Sequence, residues 1–149
     1  AVPGTESRRA AREEKRQVRP RSRGAPCYNR RPMRITRRLE FDAGHRIPNH
    51  DSQCRHLHGH RYALEVTLGG PVVTTAGAAD EGMVIDFSAV KAIARERVVD
   101  PWDHAFLAWR HDRAVTTFLD GIPGHRTVLF DAPPTAEHLA QTAFAILDR

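Results

Sequence analysis

The segment FDAGHRIPNHDSQCRHLHGHRY, residues 41–62, carries five of the nine histidines and one of the two cysteines of the chain. His58 and His60 are separated by one residue, and an alternating apolar pattern follows them as far as Leu68. Such alternation is typical of a half-buried strand, on which residues i and i+2 share one face. The pattern therefore predicts that the two imidazoles point at one spot, with Gly59 leaving the other face of the strand uncrowded.

A third histidine, His45, follows an earlier candidate strand at Ile35–Phe41 and can supply another nitrogen if the two strands pair. Three imidazoles without a fourth protein ligand is the pattern of a catalytic zinc, which keeps a coordination position for water or substrate. Spacing alone leaves two other interpretations open. The His-x-His pair can arise by chance in a strand, and histidines of a loop can simply be solvated.

Four motifs together resemble the family of 6-pyruvoyltetrahydropterin and 6-carboxytetrahydropterin synthases, in order from Met33 to the end of the chain. They are DAGHRI at 42–47 with C-x-x-x-HGH-x-Y at 54–62, GMVIDFS at 82–88, WDH-x-x-L at 102–107 and PTAEHLA at 134–140. The short gap between Cys54 and His58 resembles the bacterial 6-carboxytetrahydropterin synthases more than the animal enzymes.

This resemblance implies an α+β fold, the tunnelling fold or T-fold, in which helices pack on one face of an antiparallel sheet. It implies a homo-oligomer with active sites at subunit interfaces. It also implies a zinc ion held by His45, His58 and His60, and catalysis by Cys54, Asp103 and His104.

The activity implied by the resemblance is the zinc-dependent conversion of dihydroneopterin triphosphate to 6-carboxytetrahydropterin, on the route to queuosine and other deazapurines. Acetaldehyde and triphosphate would be released. The alternative enzyme is a 6-pyruvoyltetrahydropterin synthase, which eliminates triphosphate and keeps the two-carbon fragment. The alternative that is not an enzyme is a zinc-stabilised module that binds nucleic acid through its basic N-terminal segment.

The chemistry of the side chains agrees with these roles. Cys54 stands between polar neighbours, and a nearby Zn²⁺ or the cationic Arg55 would favour its thiolate form as a base, whereas a purely structural cysteine would be buried. The carboxylate of Asp103 can fix the tautomer of His104 and make the ring a proton donor or acceptor near neutral pH. The triphosphate requires cations, for which four residues are candidates: Arg46, Arg55, Arg61 and Lys91.

Charge divides the chain into two parts. Residues 1–32 contain ten Lys or Arg and three Glu, a net charge of +7, whereas residues 33–149 contain 13 basic and 15 acidic groups. The basic character therefore belongs to the N-terminal segment, and the domain at 33–149 is not expected to bind nucleic acid. Segment 1–32 has almost no large apolar residue and is predicted to be disordered. A nucleic-acid-binding arm, a transit peptide and a stretch foreign to the working enzyme are its three interpretations, and we favour the third because Met33 directly precedes the first strand.

Two cysteines make no disulfide framework, no apolar stretch is long enough to cross a membrane, and no secretory signal is apparent, so a cytoplasmic enzyme is expected.

Family members continue past the last helix into a strand whose glutamate anchors the pterin. No equivalent precedes Arg149, so we expect a C-terminally incomplete domain that binds zinc and turns over weakly.

The remaining elements predicted are a second strand at about 61–68, a helix from Ser88 to Pro101, a short helix at 114–119, a strand at 127–130 and a last helix capped by Thr135.

Overall fold

A computed structural model describes residues 32–149, so the disorder predicted for the basic segment falls, except for Pro32, outside the described residues. The elements in chain order are β1 (Met33–His45), a 3₁₀ turn (Gln53–Arg55), β2 (His58–Gly70), α1 (Phe87–Ala94), a π-helical turn (Arg95–Val99), α2 (Asp100–Trp102), β3 (Phe106–Trp109), α3 (Arg113–Asp120), β4 (Thr127–Phe130) and α4 (Ala136–Leu147).

A long antiparallel hairpin of β1 and β2 forms half of the sheet. Its register runs from Met33 opposite Gly70 to His45 opposite His58. The alternation read from the sequence is confirmed, since Leu39 and Phe41 are buried, Arg38 and Glu40 are exposed, and Asp42 is half-buried. Both strands are longer than predicted, and the extra residues bring the histidines into the paired region.

The sheet is mixed, with strand order β2-β1-β3-β4. Strands β1 and β2 are antiparallel, but β3 pairs in parallel with β1, and β4 pairs in parallel with β3. The α+β class with helices on one face is confirmed, whereas the expectation of an entirely antiparallel sheet is wrong for its β3–β4 half. The helix α3 connects β3 to β4 and returns the chain to the same end of the sheet, which gives parallel pairing. Strand β3 follows β2 through the helices α1 and α2 and runs opposite to β2, so it is parallel to β1.

One buried cluster joins the sheet to the helices. Its members are Leu39, Phe41, Ala43, Ala94, Val98, Val99, Trp102, Ala105, Leu107, Phe130, Leu139 and Ala143. The ring of Trp102 lies edge-on to both Phe41 and Phe130, with centroid distances of 6.0 and 5.3 Å. The helical layer therefore covers the same face of β1 that carries the predicted apolar positions.

The helix after residue 86 differs from its prediction at both ends. Asp86 rather than Ser88 is the N-cap, and its carboxylate accepts a hydrogen bond of 2.6 Å from the backbone N–H of Ser88. Pro101 does not end the helix, because the helical backbone continues from the π-helical turn through Asp100–Trp102.

The last helix, α4, begins as predicted, with the hydroxyl of Thr135 accepting from the backbone N–H of His138. Its N-terminus lies beside the end of β1 because the preceding Pro134 contacts His45. Among the helices described, none combines the length and apolarity that crossing a bilayer requires.

Candidate metal and catalytic site

The three histidines predicted as metal ligands lie together at the end of the β1–β2 hairpin. His45 stands directly opposite His58 in the register, and His60 shares the face of His58 two residues further along β2. One ring nitrogen from each of the three lies within 4.8 Å of the others. The pairing inferred from spacing therefore gives the geometry that a metal site requires.

Backbone carbonyls fix two of the three rings. The Nδ1 of His45 is 2.8 Å from the carbonyl oxygen of Pro134, and the Nδ1 of His58 is 2.7 Å from that of His56. A carbonyl only accepts, so we assign the N–H to Nδ1 in both rings, which leaves each Nε2 with a lone pair. Carbonyl partners of this kind commonly orient metal-ligating histidines.

The two free nitrogens face each other, since the Nε2 atoms of His45 and His58 are 3.0 Å apart. Two lone pairs at this distance repel unless a cation lies between them. Two nitrogens bound tetrahedrally to one zinc at about 2.0–2.1 Å would be about 3.3 Å apart, close to the observed value. The donor set and its geometry therefore fit a divalent metal.

The electrostatic environment keeps His45 in its metal-binding form. Burial lowers the pKa of His45, and the adjacent rings of His58 and His60 act in the same direction, against the effect of the Pro134 carbonyl. A neutral imidazole retains its lone pair for coordination. His60 is exposed, so the cluster is open to solvent on one side.

Cys54 lies in the 3₁₀ turn of the loop that joins β1 to β2, and its side chain is half-buried. The backbone N–H of Ile47 donates to the carbonyl of Cys54 at 2.7 Å and ties the two sides of the loop together. His56 does not share a strand face with Cys54 and His58, because residues 53–55 form a turn. The role of His56 in the structure is its carbonyl bond to His58.

Tyr62 follows His60 on the same face of β2, and sequence reasoning gave it no role. Its ring stacks on Phe41 at 5.1 Å, and it lies 5.9 and 5.8 Å from the rings of His45 and His60. Its hydroxyl is buried and has no hydrogen-bond partner among residues 32–149. Burial raises the pKa of Tyr62 to about 12, and the negative charge of a Cys54 thiolate contributes in the same direction.

Asp103 and His104 form the pair expected from the sequence. One carboxylate oxygen of Asp103 accepts from the backbone N–H of Asp42 at 3.0 Å, and the other lies 2.9 Å from the Nδ1 of His104. The backbone hydrogen bond, followed by that from His104, holds the pKa of Asp103 below its usual value. His104 has φ of 55°, an uncommon conformation for a residue with a Cβ, and its side chain is 79% exposed.

The structure places this pair and the histidine cluster on different faces of the sheet. His104 lines an open concavity of about 580 Å³ together with Gly44, Gly59 and Arg61, and His60 of the histidine cluster also borders it. These three strand residues alternate with His45, His58 and His60, so they face the opposite side. Among residues 32–149 the three histidines therefore lie together within one chain, and His104 is not a member of their cluster.

Two of the four candidate cations for a triphosphate already have partners. Arg46 binds the buried carboxylate of Asp112 through two contacts of 2.5 and 2.6 Å, and Arg61 binds Asp42 at 3.1 Å. In the part of the chain that the structure describes, Arg55 and Lys91 form no ion pair.

The comparisons with known proteins agree with the motifs. Residues 34–149 match the family model described as 6-pyruvoyl tetrahydropterin synthase. A protein of Rickettsia bellii named 6-carboxy-5,6,7,8-tetrahydropterin synthase is 38% identical over 109 residues, which are 72% of this chain and 75% of the relative. A Haemophilus influenzae protein of the same name is 33% identical over 114 residues, 75% of this chain and 79% of the relative.

Two solved structures share the fold. The 6-pyruvoyl tetrahydropterin synthase of Caenorhabditis elegans has a TM-score of 0.52 and 25% identity, covering 78% of this chain and 77% of its own. An uncharacterised protein of Wolinella succinogenes has a TM-score of 0.59 and 22% identity, covering 78% and 83%. The relatives are named as synthases that act on pterins, which makes this chain an enzyme of the lyase class with a pterin substrate. The chain belongs to the 6-pyruvoyl tetrahydropterin synthase family.

Proposed function

We propose that this protein is a zinc-dependent 6-carboxytetrahydropterin synthase that converts dihydroneopterin triphosphate and releases acetaldehyde and triphosphate, for queuosine or related deazapurines. The observation that carries this proposal is the pair of carbonyl-oriented imidazoles whose free nitrogens lie 3.0 Å apart, with a third ring beside them. The names of the Rickettsia and Haemophilus relatives support this product over 6-pyruvoyltetrahydropterin.

The three histidines would hold the zinc, two of them through nitrogens that backbone carbonyls already orient. When bound, zinc supplies Lewis-acid polarisation of the oxygens on the pterin side chain. The carbonyls of Pro134 and His56 keep the ligand nitrogens turned inward, so little ordering is left to accompany binding.

Cys54 is the proposed base for the carbon-bound proton of the side chain. It lies in the loop between the strands that carry the ligands, four residues before His58. Asp103 and His104 form the second proton-transfer unit. The bond between the Asp103 carboxylate and Nδ1 of His104 leaves Nε2 exposed as the atom that gives or takes the proton.

We further propose that each active site combines groups from two copies of the chain. The strand residues beside His104 alternate with the three histidines, and His104 is outside their cluster, which supports this arrangement. In a homo-oligomer, Asp103 and His104 of one copy would serve the metal and Cys54 of another. Two distinct surfaces then meet at each interface, as in a ring with heterologous contacts.

The product test is acetaldehyde release from dihydroneopterin triphosphate, compared between the natural protein and Cys54→Ala. We expect stoichiometric acetaldehyde from the former and a loss of at least about 100-fold in the variant. Triphosphate release without acetaldehyde would instead identify the alternative 6-pyruvoyl product. No reaction with this substrate in metal-loaded protein would contradict both.

The two-copy arrangement has its own test. Cys54→Ala and His104→Ala should each be inactive alone, but their mixture, after dissociation and reassembly, should contain sites with both natural groups. Random assortment restores about a quarter of the activity. A mixture that stays inactive, although the copies exchange as shown by mass spectrometry, would place the whole site within one chain.

A further inference from the structure

We propose that Arg126 is a positioning residue, whose guanidinium fixes the peptide group between Asp103 and His104 and thereby directs this proton-transfer pair. This role depends on the one proposed above for the pair. Arg126 lies outside the four motifs read from the sequence, directly before β4.

The turn at His104 needs support from outside the pair. His104 has φ of 55°, a left-handed backbone that residues with a Cβ rarely adopt. Its side chain is 79% exposed, and its Nδ1 lies 2.9 Å from the carboxylate of Asp103, the preceding residue. A partner next to it in the chain moves with the turn, so the direction of the ring depends on how the backbone of the turn is held.

The peptide group between the two residues is held at both of its polar ends. Its N–H, which belongs to His104, donates to the carbonyl of Asp42 at 2.7 Å. Its carbonyl, which belongs to Asp103, accepts from a guanidinium nitrogen of Arg126 at 3.2 Å. Because a peptide group is planar, fixing both ends fixes its orientation, and with it ψ of Asp103 and φ of His104.

Arg126 is itself well anchored. Its carbonyl accepts from the backbone N–H of Phe106 at 2.9 Å, where β3 and β4 begin to pair. The guanidinium nitrogen that binds the Asp103 carbonyl also donates to the carbonyl of Asp100 in α2, at 3.1 Å. None of the ion pairs within residues 32–149 includes Arg126, so its side chain is directed to carbonyls instead of a carboxylate.

A purely structural interpretation is that Arg126 caps the end of α2, since basic side chains often bind the last carbonyls of a helix. The carbonyl of Asp100 belongs to that helix, whereas Asp103 is its C-cap and leads into the turn. The two interpretations differ in where the loss of the guanidinium acts. Loss of a helix cap lowers the stability of the whole fold, and loss of a positioning contact loosens residues 103–105.

The test compares the natural protein with Arg126→Met by hydrogen exchange, measured by mass spectrometry on peptides that contain residues 103–105. Exchange of this segment should become about tenfold faster, in the range expected for losing hydrogen bonds from a charged donor. Exchange of residues 37–41, in the paired part of β1, should not change. The matched control is Arg110→Met, because Arg110 lies just past the other end of the β3–β4 pair and binds Asp131; it should leave exchange at 103–105 unaltered.

Kinetics separate positioning from structure. With dihydroneopterin triphosphate, kcat of Arg126→Met should fall about five- to tenfold with KM unchanged, because a misdirected proton donor weakens the transition state and leaves substrate binding intact. Arg110→Met should keep both values.

Equal exchange of residues 103–105 in the natural protein and Arg126→Met would overturn the inference. Faster exchange along the whole chain would show a structural role and would also overturn it, as would faster local exchange with an unchanged kcat. If exchange is faster only in the turn but the natural protein converts no pterin, Arg126 holds the turn and only the proposed function fails.

Discussion

The ion pair between Arg46 and Asp112 gives the sharpest stability prediction. Arg46 directly follows the ligand His45, and two contacts of 2.5 and 2.6 Å join its guanidinium to the Asp112 carboxylate at the start of α3. The aspartate side chain is 6% exposed and the arginine side chain 24%. Replacing Arg46 by Met therefore leaves a buried carboxylate without its counter-charge.

The expected cost follows from that burial. Breaking a buried pair by removing one partner costs about 3–5 kcal/mol, and the partial exposure of Arg46 favours the lower end, about 3 kcal/mol. The double variant Arg46→Met with Asp112→Asn removes the stranded charge as well, so its cost should be about 1 kcal/mol. The double variant should therefore be more stable than the single one.

Urea unfolding followed by tryptophan fluorescence measures both values, because Trp102 is buried in the core. The proteins should be metal-free, since bound zinc would add its own stabilisation. The matched control is Arg110→Met, whose partner Asp131 is 87% exposed, and this change should cost less than about 1 kcal/mol. Equal losses for Arg46→Met and the double variant would refute the reasoning that the carboxylate is stranded.

Three further changes test other parts of the account. A Cβ at Gly44 would lie 2.7 Å from the ring of Phe106, so Gly44→Ala should lower the free energy of unfolding, measured by urea titration, by about 1–3 kcal/mol. A Cβ at Gly69 would have its nearest atom 3.8 Å away, so Gly69→Ala should lower it less. The reverse order would contradict the packing. The pKa of Asp103 is lowered by a hydrogen bond from a backbone N–H of β1 and by His104. The ionised carboxylate therefore stabilises the fold at pH values above its pKa in the unfolded chain, and this stabilisation is lost as the pH falls through its pKa in the folded chain. The natural protein should therefore exceed Asp103→Asn slightly in stability at pH 7, and the difference should shrink at pH 3; a difference that does not change with pH would argue against this bond. His104→Gly should leave the free energy of unfolding unchanged or raise it by up to about 1 kcal/mol, because the left-handed backbone suits glycine. The turnover of this variant should fall at least about 100-fold. A variant that is less stable but active would contradict both expectations.

The sequence predicted the hairpin well because its signal is local. Alternating burial along β1 and the His58-Gly-His60 spacing both depend on residues that pair within one continuous ribbon. The strand at 127–130 and the Thr135 cap were also predicted with the bounds observed. These features depend on neighbours in the chain, and so composition and spacing determine them.

The features that sequence reasoning missed depend on contacts between distant segments. Strand β3 has only four residues, and its parallel pairing with β1 is set by the long connection through β2 and the helices rather than by its own pattern. The Pro134 carbonyl that orients His45 comes from 89 residues further along the chain. The unpaired hydroxyl of Tyr62 was visible only as a polar atom at an inward strand position, a signal that the residue pattern alone does not interpret.

The placement of Asp103 and His104 is the most instructive difference. The motif predicted the pair itself, and their mutual hydrogen bond agrees with it. The motif did not say on which face of the sheet His104 would lie, because the connection between α2 and β3 determines that. A site drawn from two copies was expected from family resemblance, and the geometry supports proposing it here.

The most direct test of the central claim is the zinc content of purified protein, measured with the affinity of the metal-free form. We expect one zinc per chain in the natural protein and none retained through gel filtration by His45→Ala, His58→Ala or His60→Ala, because two imidazoles do not complete the site. His111→Ala, a change outside the cluster, should keep its zinc. Equal zinc in the cluster variants and this control, or none in the natural protein, would contradict the account.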